Sequence, residues 1–137
     1  MLKKRHKVII DTNLWISFLL TNNLSQLDEL INKKKIILLF SKELLDEFVA
    51  VAQRPKFKKY FTVDDLEHLL DQIHLHAEFI ICKSEVLVCR DKEDNFLLSL
   101  AKDGKATHLI TGDKDLLVLE EFGKTKIVTI ADYLLQP

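Results

Sequence analysis

Apolar residues follow two alternating patterns along the chain, and these patterns predict strands separated by helices. Short runs that are apolar at every position are typical of strands buried on both faces of a sheet. Such runs occupy residues 8–10, 36–40, 79–82, 108–111 and 126–129, and residues 86–89 are apolar enough for a strand or a loop. Apolar residues at helical spacing predict helices over about 14–20, 24–31, 42–54, 62–77 and 93–103, with a short helix after each of the last two strands.

Residues that favour helix ends support these boundaries. Ser41 is a suitable N-cap for the helix that follows it, and Thr62 with Asp65 three residues later resembles a capping box. Gly104 is expected to end the helix that begins near residue 93. The chain of 137 residues has three glycines, two prolines, no repeat and no low-complexity linker. We therefore expect long elements, short loops and a single domain over residues 1–137.

Strands that alternate with helices indicate an α/β fold, in which a parallel sheet is covered on both faces to give a three-layer α/β/α sandwich. Ligands of such folds bind at the carboxyl ends of the strands. Asp11 directly follows the first strand, and Asp113 lies two residues after the strand at 108–111. We expect both carboxylates at the same edge of the sheet.

The composition narrows the class of protein. Hydrophobic residues make up 47% and charged residues 30%, which is typical of a folded globular protein, and a net charge of −1 gives no global signal for nucleic acid. No apolar run reaches the length of a membrane span, and only three apolar residues separate the basic start from Asp11, which argues against a signal peptide. Cys82 and Cys89 form no CxxC motif, so we expect a reduced, cytoplasmic protein without membrane contacts.

Six carboxylates are predicted to lie at or near this edge of the sheet: Asp11, Glu47, Asp91, Asp94, Asp113 and Asp115. Most of them, taken singly, have an ordinary explanation as a helix cap, a turn residue or a solvated side chain. Asp11 does not, because a carboxylate directly after a buried strand needs a partner. Converging acids repel one another unless cations balance them, and Mg²⁺ or Mn²⁺ prefers such oxygen ligands. The group therefore predicts a metal site suited to phosphoryl chemistry.

Three segments resemble, in order, the motifs of the PIN-domain ribonucleases, and in particular the VapC-like toxins of prokaryotic toxin–antitoxin systems. The segments read VIIDTNLWISFLL, LLFSKELLDEFVAVAQRPKF and CRDKEDNFLLSLAKDGKATHLITGDKDLL. Together they run nearly from end to end of the chain. The triplet DTN alone would be weak evidence, whereas three ordered segments that contain every acid of the family pattern are a specific match.

The resemblance implies that catalysis and metal binding depend on a quartet of Asp11, Glu47, Asp94 and Asp113. It also implies that Asn13 and Thr111 support this quartet. The family fold has a parallel five-stranded sheet in the order 3-2-1-4-5, and the usual chemistry is cleavage of single-stranded RNA with Mg²⁺ or Mn²⁺. An antitoxin protein and a homodimer are further expectations from the resemblance.

Other acids compete for places in the quartet, and the competing residues are Asp91 for Asp94, Asp115 for Asp113 and Glu43 for Glu47. Asp94 is preferred because it opens the apolar helix directly, and Asp113 because it lies nearer to its strand. Glu43 would occupy the first turn of its helix and serve the cap. Asp91 and Asp115 are retained as supporting residues.

Basic residues that follow the helix of Glu47 are the first candidates for RNA binding: Arg54, Lys56, Lys58 and Lys59. Trp15 could provide a stacking platform for a base. Its apolar neighbours Leu14 and Ile16 instead favour a place in the core.

Alternative functions come from other protein classes. A two-component receiver domain needs paired acids after the first strand and a phosphorylatable Asp after the third, but this chain has Thr12 and Asn13 beside Asp11 and no clear acceptor. A haloacid-dehalogenase-type phosphatase requires Asp-x-Asp after the first strand, and the second position here is Asn13. A PIN fold kept only for binding is the remaining alternative.

Overall fold

A computed structural model describes residues 5–21, 25–33 and 35–135. The strands of the described residues are β1 Lys7–Ile10, β2 Ile37–Phe40, β3 Ala77–Phe79, β4 His108–Ile110, β5 Glu121–Phe122 and β6 Thr125–Val128. The helices are α1 Thr12–Thr21, α2 Ser25–Asp28, which continues as a π-helix over Glu29–Lys33, α3 Lys42–Ala52, α4 Pro55–Lys58, α5 Val63–His76, α6 Lys92–Gly104, α7 Lys114–Leu117 and α8 Ile130–Leu134.

Six strands of the described residues form one sheet in the order β3-β2-β1-β4-β6-β5. All neighbouring strands are parallel except β5, which pairs antiparallel with β6 at the edge. The predicted order of five parallel strands is thus observed, but the sheet is mixed and has a sixth strand. That strand has only two residues and joins β6 through a turn at Gly123, whose φ of 58° suits glycine. A two-residue strand leaves no readable pattern of apolar residues.

The chain changes direction across the sheet after β3. The first connections lead outward from β1 to β2 and β3, and α6 then leads back across to β4 on the other side of β1. Because parallel crossovers are right-handed, this reversal places helices on both faces of the sheet, as the α/β prediction required. It also creates a crevice at the carboxyl ends of β1 and β4, the usual ligand position. A receiver domain has the order 2-1-3-4-5 instead, so the topology excludes that alternative.

The core lies between the sheet and the long helices, and Trp15 is at its centre. The Trp15 side chain is 0% exposed, and its ring centroid lies 5.4 Å from that of Phe40 and 5.7 Å from that of Phe18. The ring therefore packs in the core, as the neighbouring residues suggested, and cannot stack on a base.

One apolar run differs from its predicted structure, and a second, for which two structures were possible, forms a loop. β3 occupies Ala77–Phe79 and not residues 79–82, because α5 ends at His76 and the strand begins at once. Ile81 is 84% exposed, so an apolar sequence here does not mean burial. Residues 86–89, for which strand and loop were both open, form a loop in which Leu87 is 77% exposed. Leu24, assigned to the second predicted helix, lies outside the described residues.

Most predicted caps are observed. Ser41 accepts a hydrogen bond from the backbone N–H of Leu44, and Thr62 with Asp65 forms a complete capping box. The end of α6 differs, because Lys105 and not Gly104 adopts the left-handed conformation, with φ of 55°. Gly104 leaves space for the core, since a Cβ atom there would lie 2.9 Å from Cδ1 of Leu39 and that side chain would have to shift.

Candidate metal centre

Strand β1 delivers Asp11 to the carboxyl edge of the sheet. Its backbone N–H donates to the carbonyl of Ile110 at 3.0 Å, so pairing with β4 continues one residue beyond the strand. The side chain is buried, with 6% exposed. One carboxylate oxygen accepts a hydrogen bond from the hydroxyl of Thr111 at 2.5 Å, and the other accepts one from the backbone N–H of Asn13 at 3.0 Å. The Thr111 hydroxyl and the Asn13 backbone N–H therefore fix the orientation of this carboxylate.

Thr111 links the two acids that lie one hundred residues apart in sequence. While its hydroxyl donates to Asp11, the same oxygen accepts the backbone N–H of Asp113 at 3.0 Å. Asp113 is in turn the N-cap of α7, where its carboxylate accepts the N–H of Asp115 at 2.9 Å. A buried threonine is thus hydrogen-bonded to the Asp11 side chain and to the Asp113 backbone, beside the strand pairing that brings the two strand ends together.

Helix α6 brings Asp94 into the same space. Asp91 is the N-cap of this helix and accepts the backbone N–H of Glu93 at 3.1 Å. Asp94 follows in the first turn and is 6% exposed. The partial positive charge of a helix N-terminus favours carboxylates at these positions. Asp94 is therefore held by the helix start and not by a strand.

Helix α3 provides the fourth acid. Ser41 caps the helix, and Glu47 lies in its second turn, half-buried. The predicted quartet surrounds one cavity of about 200 Å³, the acidic cavity, and the quartet with this cavity is called the acidic centre below. The cavity is lined by Asp11, Thr12, Asn13, Glu47, Asp91, Glu93, Asp94, Leu97 and Asp113. The structure brings the four acids together, while their roles in metal binding and catalysis remain predictions.

Burial and mutual repulsion alter the acidity of these groups. Burial raises the pKa of Glu47 to about 7, and the negative charges of Glu93, Asp11 and Asp91 act in the same direction. Burial also raises the pKa of Asp94 to about 7, with Asp113 as the nearest repelling charge. The pKa of Asp11 is raised by burial despite the hydrogen bonds from Thr111 and Asn13. Such a group is destabilised when fully ionised, and a bound cation would relieve that repulsion.

The donor set fits a hard divalent cation. Carboxylate oxygens of Asp94, Asp113 and Asp115 lie within 4.8 Å of one another. Among the described residues, no other group of three or more Asp, Glu, His or Cys side chains has its ligand atoms this close together. Ligands that are all oxygen, with room for water, are those that Mg²⁺ and Mn²⁺ prefer. Asp115, predicted as a supporting residue, therefore lies as close to Asp94 and Asp113 as a direct ligand would.

The structure distinguishes between the acids that compete for places in the predicted quartet. Glu43 is exposed and lines a different cavity, of about 350 Å³, so Glu47 is the α3 acid that faces the centre. Asp91 lines the acidic cavity but is exposed, and hydrogen bonds from Glu93 lower its pKa. Glu93 also lines the cavity and was not identified from sequence. The run of charges RDKED at a helix start was the available signal, but it reads equally well as helix capping.

The four predicted RNA-binding residues divide into two groups. Arg54 lies near enough to Glu47 to oppose the rise of its pKa. Lys58 and Lys59 line a separate cavity of about 560 Å³, and the Lys56 and Lys59 ammonium groups lie over the rings of Phe57 and Tyr60 at 4.8 and 5.2 Å. Arg54 is thus the residue of these four whose charge acts on an acid of the predicted quartet.

Comparison with protein families agrees with this geometry. The family model described as PIN domain matches residues 7–115, which contain all the acids of the centre. The chain belongs to the PIN-domain family. This PIN domain is also 34% identical over 127 residues to the uncharacterized protein MJ1680 of Methanocaldococcus jannaschii, covering 90% of this chain and 81% of that protein.

A solved structure shares the fold of this PIN domain. The structure, described as VapBC2 from Rickettsia felis bound to a DNA fragment from their promoter, superimposes with a TM-score of 0.57 and 15% sequence identity. The match covers 88% of this chain and 96% of that chain. At this identity the likeness is one of fold. No helix of the described residues is both long and apolar enough to cross a membrane.

Proposed function

We propose that this PIN domain is a metal-dependent endoribonuclease that hydrolyses phosphodiester bonds of single-stranded RNA. One observation carries the proposal: Asp11, Glu47, Asp94 and Asp113 converge on a single cavity at the carboxyl ends of β1 and β4. Membership of the PIN-domain family supports a nuclease, since this is the family's usual chemistry. The cavity lies at the edge of the sheet, and this position supports a substrate that binds from solvent and is not enclosed by the protein.

The residues fit Mg²⁺ or Mn²⁺, which Asp11, Asp94 and Asp113 would hold. The support is chemical. Carboxylate oxygens of Asp94 and Asp113 lie within 4.8 Å of each other, and Asp11 lines the same cavity as these two acids. The nearby Glu47 has its pKa raised to about 7 by burial and like charges. When bound, such a cation supplies a more acidic water molecule and neutralises charge on the phosphoryl group. Asp115 is the additional carboxylate within reach.

The chain's own side chains have distinct tasks in this scheme. Thr111 and Asn13 hold the Asp11 carboxylate in one orientation through their two hydrogen bonds. A carboxylate oxygen of Glu47, across the cavity, orients the attacking water and accepts its proton. Arg54, beside Glu47, binds the charged RNA backbone, and Lys56, Lys58 and Lys59 extend this basic surface further along the strand.

Cleavage of a labelled, unstructured single-stranded RNA tests the proposal, with Mn²⁺, with Mg²⁺ and with chelator. We expect metal-dependent cutting that Asp11→Asn reduces at least about 100-fold, because the variant removes the central carboxylate charge. Glu47→Gln should reduce the rate by a factor of about 100 or more, through loss of the proton acceptor. Asp46→Asn is the matched control, because Asp46 lies on the same helix but pairs with Lys42 at the surface.

Two results would contradict the proposal. Cutting that persists in Asp11→Asn would identify a contaminating nuclease. Equal losses in Glu47→Gln and Asp46→Asn would show that general charge, and not the position of Glu47, determines activity.

We further propose that the protein is the toxin of a toxin–antitoxin pair and forms a homodimer. Two observations support this proposal. The chain shares its fold with the VapBC2 structure, and three segments of its sequence resemble those of VapC-like toxins. Induced expression should arrest growth of a bacterial host, and Asp11→Asn should abolish the arrest at equal protein level. Light scattering after size exclusion should give twice the mass of 15.9 kDa. Unimpaired growth with active enzyme would exclude the toxin role, and a monomer mass would exclude the dimer.

A further inference from the structure

A second cavity adjoins the acidic one. It has a volume of about 180 Å³ and is lined by Val88, Cys89, Arg90, Asp91, Asp94, Asp115 and Leu119. Asp91 and Asp94 line both cavities, so the two spaces share a wall. A ligand that extends beyond the acidic centre in this direction would therefore enter the space beside Arg90.

The side chain of Arg90 is exposed, and it makes no hydrogen bond or ion pair with any residue in the ranges that the structure describes. This is informative because three carboxylates, those of Asp91, Asp94 and Asp115, line the same cavity. An arginine whose role was to neutralise these acids would form ion pairs with them. The Arg90 guanidinium instead keeps its donors available, and their planar fork matches the oxygens of a phosphate.

The backbone on both sides of Arg90 is anchored. The Asn95 side chain accepts the N–H of Cys89 and donates to its carbonyl, both at 2.8 Å. On the other side, Asp91 is tied to the start of α6 as its N-cap. Because the backbone around Arg90 is already fixed, binding a ligand there restricts only the side chain, which lowers the entropic cost of binding.

The two arginines near the centre are associated with different cavities. Arg54 affects Glu47, which lines the first cavity but not the second. Arg90 shares the second cavity with Asp115, which does not line the first. One cationic group thus acts on an acid of the first cavity and another lines the second, an arrangement that suits a strand whose charged phosphates repeat beyond the reacting one.

We propose that the cavity around Arg90 is a phosphate-binding subsite for the RNA strand, one linkage away from the phosphate that reacts at the acidic centre. The inference rests on the nuclease function proposed above and adds a residue that binds substrate. Val88 and Leu119 provide an apolar wall on which the sugar and base of that nucleotide can pack.

The experiment compares Arg90→Gln with Lys92→Gln in the full-length protein. Lys92 is also exposed and loses the same charge, but it lines the 350 Å³ cavity and not the Arg90 cavity. The substrates are one unstructured RNA and a series in which a single uncharged methylphosphonate replaces each linkage near the cleavage point. Cleavage gives kcat and KM, and fluorescence anisotropy gives the Kd at several salt concentrations.

In Arg90→Gln we expect KM and Kd to rise about 10-fold, as for loss of a charge-assisted hydrogen bond, while kcat changes little. The slope of log Kd against log salt should fall by about 0.7, the value for one phosphate contact on a single strand. The methylphosphonate at one linkage beside the cleavage point should weaken wild-type binding by a similar factor and leave Arg90→Gln unaffected. Lys92→Gln should behave as wild type in all three measurements.

The subsite would be overturned if Arg90→Gln and Lys92→Gln had equal effects. It would also be overturned if the loss of affinity from Arg90→Gln added to the loss from the methylphosphonate at every linkage of the series. Either result leaves metal-dependent cleavage by the wild type intact, so the nuclease proposal would survive. A wild type that binds RNA without cleaving it refutes the nuclease but still tests Arg90 through Kd and its salt dependence. A wild type that neither binds nor cleaves overturns both.

Discussion

At the scale of single residues, Thr111 controls the geometry of the centre without being an acid. Its hydroxyl is the only group in the described residues that is hydrogen-bonded both to the Asp11 side chain and to the backbone of Asp113. Groups that orient metal ligands commonly change affinity or activity 10- to 100-fold when they are removed. Thr111 is 1% exposed, so water cannot easily replace its hydroxyl.

Thr111→Val tests this role because it keeps the shape and removes the hydroxyl. We expect metal affinity and cleavage to fall about 10- to 100-fold, since Asp11 loses a donor and the Asp113 N–H loses its acceptor. The change should also cost about 1–3 kcal/mol in the free energy of unfolding, as for an unpaired buried polar group. Isothermal titration with Mn²⁺, cleavage assays and urea unfolding provide the three readouts.

Thr125→Val is the matched control. Thr125 is 3% exposed and donates to the carbonyl of Ala106 at 2.8 Å, away from the acidic centre. It should lose comparable stability and retain metal affinity. If both variants lose metal affinity equally, the effect comes from general destabilisation and Thr111 has no special role.

At the scale of elements, the segment that joins β3 to α6 determines where Arg90 and Asp91 lie. It has no regular secondary structure over residues 80–87 and is fastened by two side chains of α6. Asp103 accepts the backbone N–H groups of Lys83 and Ser84 at 2.6 and 2.8 Å, and Asn95 binds both backbone groups of Cys89. The helix thus positions a loop whose exposed apolar residues do little to hold it.

Asn95→Ala should release the end of the segment nearest to the centre. The backbone N–H and C=O of Cys89 lose their partners, at a cost of about 1–3 kcal/mol. We expect faster amide hydrogen exchange over residues 86–91 and a rise in KM for RNA, because Arg90 is no longer held in place. Hydrogen exchange read by mass spectrometry and steady-state cleavage measure the two effects.

Asp103→Ala provides the comparison from the other end of the same segment. Its faster exchange should be confined to the neighbourhood of Lys83 and Ser84, with KM unchanged. If Asn95→Ala leaves exchange near Arg90 unaltered, the two hydrogen bonds to Cys89 do not anchor the segment.

At the scale of the whole molecule, the acidic centre makes stability depend on pH. The folded pKa values of Glu47 and Asp94 are both about 7, above their ordinary values of 4.5 and 3.8. The folded protein therefore binds more protons than the unfolded chain between about pH 4 and 7, and stability falls as pH rises through this window. His108 acts in the opposite sense, because burial lowers its pKa to about 4, but it is one group against Glu47, Asp94 and Asp11, whose pKa values are all raised.

We expect the unfolding temperature of the metal-free protein to be several degrees lower at about pH 8 than at about pH 5. For a chain of this length, each kcal/mol of lost unfolding free energy lowers the unfolding temperature by roughly 3–5 °C. Asp94→Asn should flatten this dependence, because it removes one of the carboxyl groups whose pKa is raised. Millimolar Mn²⁺ should raise the unfolding temperature at about pH 8 and have little effect at about pH 5, where Glu47 and Asp94 are protonated.

Differential scanning fluorimetry over this pH range, with and without Mn²⁺, checks these expectations. An unfolding temperature that rises with pH in the metal-free protein would show that His108, and not the acidic centre, dominates. Stabilisation by Mn²⁺ that is equal at both pH values would place the cation outside the group formed by Glu47 and Asp94.

The sequence by itself determined the features that depend on local pattern. Alternating apolar runs gave the α/β class, and Ser41 and Thr62 defined helix starts because a cap acts within three or four residues. It also predicted which acids come together, because the segments around Asp11, Glu47 and Asp113 resemble the motifs of the PIN-domain family, while the roles of these acids stay predictions. Each of these conclusions rests on neighbours in sequence or on a resemblance.

The tertiary structure decided what depends on distant neighbours. Pairing of β1 with β4 joins Asp11 to Thr111, and this contact across one hundred residues has no local signal. Packing also determined features that residue type alone does not specify. These are the lengths of α5 and β3, the exposure of Leu87 and the narrow space beside Gly104. Burial and the proximity of other acids likewise set the acidity of the centre, because repulsion depends on distance in space and not on separation along the chain.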